Sequence, residues 1–127
     1  SLLSTSDRIF VAGHRGMAGS AICRALEKKG YKNILKCERK DLDLADITAV
    51  KEWYKNNKPD VVILAAATVG GIQANNNFPV DFLLNNLKIQ NNVIETSWRS
   101  GVKDFFSSGV VVSIQNYQIN QLQKRNF

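Results

Sequence analysis

Three glycines spaced three residues apart follow a short apolar run near the start of the chain. The run covers residues 8–12, and Gly13, Gly16 and Gly19 come directly after it. Apolar residues then recur at helical spacing over residues 20–29. A glycine turn between a strand and a helix is typical of loops that bind a pyrophosphate, because glycine permits the tight turn and a close backbone approach. The pattern predicts a βαβ unit whose helix N-terminus faces an anion.

The alternation of strand and helix continues along the chain. A second apolar segment covers residues 33–37, and a helical repeat begins at Asp46. Residues 61–67 form a continuous apolar run, and a long helix over residues 80–100 precedes a fourth strand over residues 103–106. Apolar runs without alternation are typical of parallel strands covered on both faces. We therefore predict an α/β fold, a Rossmann-type doubly wound parallel sheet of about four strands in the order 3-2-1-4.

Composition excludes several classes of protein. The 127 residues suit a single domain, and 44% hydrophobic residues are ordinary for a globular one. The longest apolar run, residues 61–67, is far shorter than the roughly 20 residues of a membrane span, so no membrane partner is expected. Cys23 and Cys37 have no metal-binding spacing and follow no signal peptide. We expect reduced thiols, no metal site and a cytoplasmic location.

The chain is basic, with a net charge of +6 from 17 basic and 11 acidic residues. This excess favours anionic partners such as phosphates and nucleotides. The basic residues are dispersed and are not interleaved with aromatic ones, so nucleic acid is not expected as a partner.

Charged residues after the second strand bear on the choice of cofactor. In dinucleotide-binding folds an acid at this point binds a ribose 2′-hydroxyl, whereas an arginine accommodates a 2′-phosphate. This chain has both, because Glu38 favours NAD, while Arg39 together with Arg15 forms a cationic clamp suited to NADP. Spacing alone leaves the two cofactors open.

Several segments taken together resemble a known family. They are residues 12–20, 39–44, 65–72 and 74–76. They resemble the GDP-L-fucose synthases of the extended short-chain dehydrogenase/reductase family, and the resemblance covers about residues 8–106. That family converts GDP-4-keto-6-deoxy-D-mannose to GDP-L-fucose by two epimerisations and an NADPH-dependent reduction. Its members are homodimers, and the GDP-sugar is a partner only of the complete enzyme.

The resemblance implies NADP as the cofactor, because Arg39 lies at the matching arginine position. The glycine loop would hold the pyrophosphate, Arg39 the 2′-phosphate, and Asp43 and Leu44 would flank the adenine. The implied cofactor site consists of Gly13, His14, Arg15, Gly16, Met17, Ala18, Gly19, Arg39, Asp43, Leu44, Ala65 and Ala66.

The catalytic residues of that family are not found at the matching positions. The family uses Ser and Cys after the fourth strand and a Tyr-x-x-x-Lys pair further on, but the Gly-Ser-Ser-Cys segment falls on a glycine and three valines at residues 109–112. Valine cannot transfer a proton. Tyr54 and Lys58 have the right spacing but precede the third strand, so a structural role is predicted for them. His14 is interpreted as a loop side chain, and no catalytic residue is assigned.

The last residues of the chain lack the patterning of the rest. We predict an incomplete Rossmann domain over residues 1–109 and an irregular Gln- and Asn-rich tail over residues 110–127, with the substrate domain absent. If residues 109–118 are back-translated and read two nucleotides later, they can encode Ser-Ser-Cys-Ile-Tyr-Pro-Lys-Leu-Ser, which contains the missing family motif. Our hypothesis is a frameshift near residues 105–108.

The sequence leads to two hypotheses about function. The first is the NADP-binding part of a GDP-L-fucose synthase-like enzyme, inactive as this chain. The alternative is a small nucleotide-binding or regulatory module that is not an enzyme.

Overall fold

The computed structural model describes residues 3–13, 15–65 and 80–107. Within them, helices follow strands in regular alternation. The elements are β1 (Ile9–Ala12), α1 (Met17–Lys28), β2 (Ile34–Leu35), α2 (Ile47–Asn57), β3 (Val61–Leu64), α3 (Val80–Arg99) and β4 (Asp104–Ser107). The strands pair in parallel in one four-stranded sheet. The α/β class and the parallel sheet predicted from the sequence are confirmed.

The predicted strand order is wrong. The observed order is β2-β1-β3-β4, so the third strand lies beside β1, whereas the predicted order 3-2-1-4 placed it outside β2. Burial explains the difference, because Val61 and Val62 of β3 are fully buried and suit a strand with neighbours on both sides. β2 has only two residues, Ile34 and Leu35, both half-buried, which suits an edge.

Helices cover both faces of the sheet, as expected of a doubly wound fold. Successive side chains of β1 point to opposite faces. On one face, Phe10 packs in a cluster with residues of α2 and α3, including Tyr54 and Val93. On the other face, Ile9 and Val11 pack against Cys23 of α1.

The ends of the helices follow recognisable signals. Asp46 caps α2, since its carboxylate accepts hydrogen bonds from the backbone N–H groups of Thr48 and Ala49. The same helix ends at Lys58, which has a left-handed φ of 47° and precedes Pro59. α1 begins at Met17, three residues earlier than the apolar spacing indicates. Residues 66 and 67 of the predicted third strand and the tail over residues 110–127 lie outside the described residues.

Candidate functional site

The segments singled out in the sequence meet at one edge of the sheet. Because β1, β2 and β3 are parallel neighbours, their carboxyl ends lie side by side. The glycine loop follows β1, residues 36–46 connect β2 to α2, and Ala65 follows β3. In open α/β sheets ligands bind outside the carboxyl ends of the strands, so this edge is the candidate site.

The glycine loop has the geometry of an anion-binding turn. Gly13 has a φ of 88°, which L side chains rarely adopt, and its carbonyl accepts a hydrogen bond of 3.1 Å from the Gly16 N–H. A Cβ placed on Gly16 would have as its nearest neighbour the Gly13 carbonyl oxygen at 3.6 Å, an ordinary contact. No described residue therefore requires a glycine there, whereas a group lying close against the loop would.

The N-terminus of α1 is open towards this edge. Gly16 is the N-cap residue and supplies no side-chain hydrogen bond, and Ser20 makes the first helical bond, to the Gly16 carbonyl. The N–H groups of the first turn thus have no partner inside the helix and can bind an anion. Met17 is 92% exposed, Ala18 is also exposed, and Gly19 is buried.

An ion pair joins the glycine loop to the segment after β2. The Arg15 guanidinium forms an ion pair of 2.6 Å with the Glu38 carboxylate, which joins the glycine loop to the segment after β2. Arg39, the next residue, is exposed. Arg15, one member of the predicted cationic clamp with Arg39, thus already has an acid as its ion-pair partner.

The segment predicted to flank an adenine is fixed to the core. Leu44 is half-buried and packs against the cluster around Phe10, and its carbonyl accepts a 2.9 Å hydrogen bond from Asn92 Nδ2 of α3. Asp43 is exposed, and its carboxylate accepts a hydrogen bond from the Ala45 N–H. Sequence reasoning missed Asn92, because nothing in its spacing indicates a contact with a residue 48 positions earlier.

The start of the loop after β3 contacts the end of β1. Ala65 is buried, and its N–H donates a 2.8 Å hydrogen bond to the Ala12 carbonyl. Of the other predicted site residues, His14 and Ala66 lie outside the described residues.

The position of Tyr54 favours the structural role predicted for the Tyr54 and Lys58 pair. The Tyr54 hydroxyl hydrogen-bonds the Ser97 hydroxyl at 2.7 Å in the core, and burial raises the pKa of Tyr54 far above its ordinary range. Lys58 is exposed at the C-terminal cap of α2. This pair cannot serve a ligand at the carboxyl edge.

The described part of the chain does not support a nucleophilic thiol, a metal site or a membrane-spanning helix. Burial raises the pKa of both thiols, Cys23 and Cys37, so neither is an activated nucleophile. The described residues contain no group of side chains suited to a metal ion. None of the described helices is both long and apolar enough to span a membrane.

Comparison with known families shows to which one the chain belongs. Residues 9–114 match the NAD dependent epimerase/dehydratase family. The chain belongs to that family.

Several similar proteins have names that refer to GDP-sugars. GDP-L-fucose synthase 1 of Arabidopsis thaliana is 47% identical over 109 residues, which are 86% of this chain and 34% of the relative. Among solved structures, the GDP-mannoheptose C4 reductase from Campylobacter jejuni with NADP bound has a TM-score of 0.76 and 39% identity, over 84% of this chain and 33% of that one. A GDP-L-fucose synthetase from Naegleria fowleri bound to NADP has a TM-score of 0.68 and 34% identity, over 83% and 31%. The chain spans about a third of the length of the curated relatives it matches.

Proposed function

We propose that this chain binds NADP at the carboxyl edge of its sheet, as the cofactor-binding part of a GDP-L-fucose synthase-like enzyme. The observation that carries the proposal is the meeting of the glycine loop, the open N-terminus of α1 and two arginines at one edge. The N–H groups at the start of α1 can bind the pyrophosphate, and the arginines can bind the 2′-phosphate. The NADP-bound relatives from Campylobacter jejuni and Naegleria fowleri support the same ligand.

The residues present fit this ligand. Because Gly16 has no Cβ, a pyrophosphate could come close to the backbone N–H groups of the loop and of the first turn of α1. Arg15 and Arg39 bind the 2′-phosphate, and Asp43 and Leu44 border the adenine. Ala65, Ala66 and His14 complete the lining in this proposal. When bound, NADPH supplies the hydride for a reduction, and the described residues act only in binding and orienting it.

The proposed reaction of the complete enzyme is the conversion of GDP-4-keto-6-deoxy-D-mannose to GDP-L-fucose by epimerisation and reduction. The names and identities of the Arabidopsis and other relatives support this substrate class. We propose that the chain itself has no turnover, because three valines occupy residues 110–112, where the family has proton-transferring Ser and Cys. A cytoplasmic location and a homodimeric complete enzyme belong to the same proposal.

Titration with NADP and NAD tests the cofactor site. We expect tighter binding of NADP, and Arg39→Ala should cost on the order of 1 to 3 kcal/mol for NADP and little for NAD, as for one charge-assisted contact. Lys55→Ala is the matched control, since it removes one exposed positive charge in the last turn of α2. Equal affinities of the unaltered chain for both cofactors would refute the 2′-phosphate assignment.

A second candidate is a nucleotide-binding or regulatory module without enzymatic activity, favoured by the same valines. Both proposals predict that the purified chain has no turnover, so the coding DNA beyond the codon of Phe127 separates them: only the first predicts that it encodes the rest of the enzyme. Formation of GDP-L-fucose by the purified chain would contradict the proposal that it is inactive alone.

Sequencing of the coding DNA across residues 105–127 tests the proposed frameshift. The frameshift is refuted if the third bases of the codons do not encode the family motif in the shifted frame.

A further inference from the structure

The ion pair between Arg15 and Glu38 joins the two segments that would contact the 2′ position of the cofactor, where NADP and NAD differ. Residue pairing puts Phe10 of β1 level with Leu35 of β2. Gly13 and Glu38 each come three residues after those partners, so the glycine loop and Glu38 leave the sheet at the same level. The ribose next to the adenine lies between these two segments in dinucleotide-binding folds.

The two side chains of the pair differ in freedom. The Arg15 side chain is 77% exposed and the Glu38 side chain is 35% exposed. Arg15 can therefore turn towards a new anion at little cost in packing, while Glu38 is more firmly held. Arg39, adjacent to Glu38 in the sequence, forms no ion pair with any acid in the described ranges, so it has no comparable partner to give up.

The charges of the pair affect the two cofactors in opposite ways. A 2′-phosphate can bind the Arg15 guanidinium only by displacing the Glu38 carboxylate from it. A ribose with a free 2′-hydroxyl requires no displacement, because a carboxylate accepts a hydrogen bond from a hydroxyl.

We propose that Glu38 is a specificity-determining residue that competes with the 2′-phosphate for Arg15 and so lowers the preference of the site for NADP over NAD. This inference rests on the proposed function, since it concerns the same cofactor site. It goes further in assigning to Glu38 a restraint on NADP binding and in making NAD an acceptable second ligand.

The test compares dissociation constants of NADP and NAD for the unaltered chain and for Glu38→Gln, at pH 8, where a phosphate monoester is dianionic. We expect Glu38→Gln to raise the ratio of NADP to NAD affinity by about tenfold, the size of effect expected for one charge-assisted contact. Glu95→Gln is the matched control, because Glu95 pairs with Arg99 on the surface of α3 at 3.0 Å. An unchanged ratio in Glu38→Gln, or a weaker affinity for NADP, would overturn the inference.

The Arg15→Gln background separates competition from direct repulsion. If Glu38 acts through Arg15, adding Glu38→Gln to Arg15→Gln should change the ratio by less than threefold. A change of threefold or more in that background would overturn the competition. Failure of the unaltered chain to bind either cofactor would instead refute the proposed function, and the inference with it.

Discussion

Tyr54 and Ser97 form a buried contact between α2 and α3. Ser97 is fully buried, Tyr54 is 3% exposed, and their hydroxyl groups are 2.7 Å apart. A buried hydroxyl without a partner costs about 1 to 3 kcal/mol. We expect Tyr54→Phe and Ser97→Ala each to lower the free energy of unfolding by that amount, measured by urea denaturation. The double variant should lose less than the sum of the two single losses, because no unpaired hydroxyl remains.

Tyr31→Phe is the control for this prediction. Tyr31 is half-buried and packs in the cluster on the other face of the sheet. Its substitution should change the free energy of unfolding by less than about 0.5 kcal/mol. Strict additivity in the double variant would show that the hydroxyl contact contributes nothing as a pair.

Single residues of the site were partly predictable. The turn at Gly13 could be predicted, because few other residues tolerate its φ of 88°. The ion pair between Arg15 and Glu38 could not, since it depends on how two loops approach each other beyond the ends of their strands. The sequence indicates separate roles for the two side chains, Glu38 with NAD and Arg15 with Arg39 in a clamp for NADP, but no pairing between Arg15 and Glu38.

At the level of elements, one contact joins the N-terminal segment to the start of β4. The Lys103 ammonium donates a 2.9 Å hydrogen bond to the Asp7 carboxylate, and the Ser4 N–H donates another of 2.8 Å to the same oxygen. The Ser4 N–H and then Lys103 hold the pKa of Asp7 below its ordinary value. Asp7 therefore stabilises the fold when it is ionised.

This contact predicts a dependence of stability on pH. Because the folded pKa of Asp7 lies below its unfolded value near 3.9, the contribution is complete at neutral pH and is lost as the pH falls below about 4. Asp7→Asn should lower the urea midpoint at pH 7 and have a much smaller effect at pH 3. Asp41→Asn, at an exposed turn, is the control and should show no such difference. A loss that is equal at both pH values would contradict the role of ionisation.

The boundaries of elements were predictable where one residue fixes them. Asp46 and the sequence Lys58 to Pro59 set both ends of α2, and each is a local signal. The order of the strands was not predictable in this way. The order depends on which strand has neighbouring strands on both sides. The full burial of Val61 and Val62, which is expected of such a strand, is seen only in the folded sheet.

At the level of the whole molecule, α3 exposes a wide apolar surface. Leu84, Leu87, Ile94 and Trp98 lie at helical spacing along it, and each is at least 40% exposed. Among the described strands, β4 lies at an edge of the sheet and contains Phe105 and Phe106. Exposed apolar stripes and open edges favour association between chains.

We therefore expect the chain to associate as its concentration rises, and to scatter light early in a thermal ramp. Leu84→Lys and Leu87→Lys together should reduce the mass measured by light scattering after size-exclusion chromatography. The unfolding midpoint at low concentration should change little, because both side chains are already about half exposed. Lys51→Glu, an exposed change on α2, is the control for altered surface charge. A monodisperse monomer at every concentration, with a sharp and reversible thermal transition, would show that the apolar stripe of α3 does not drive association.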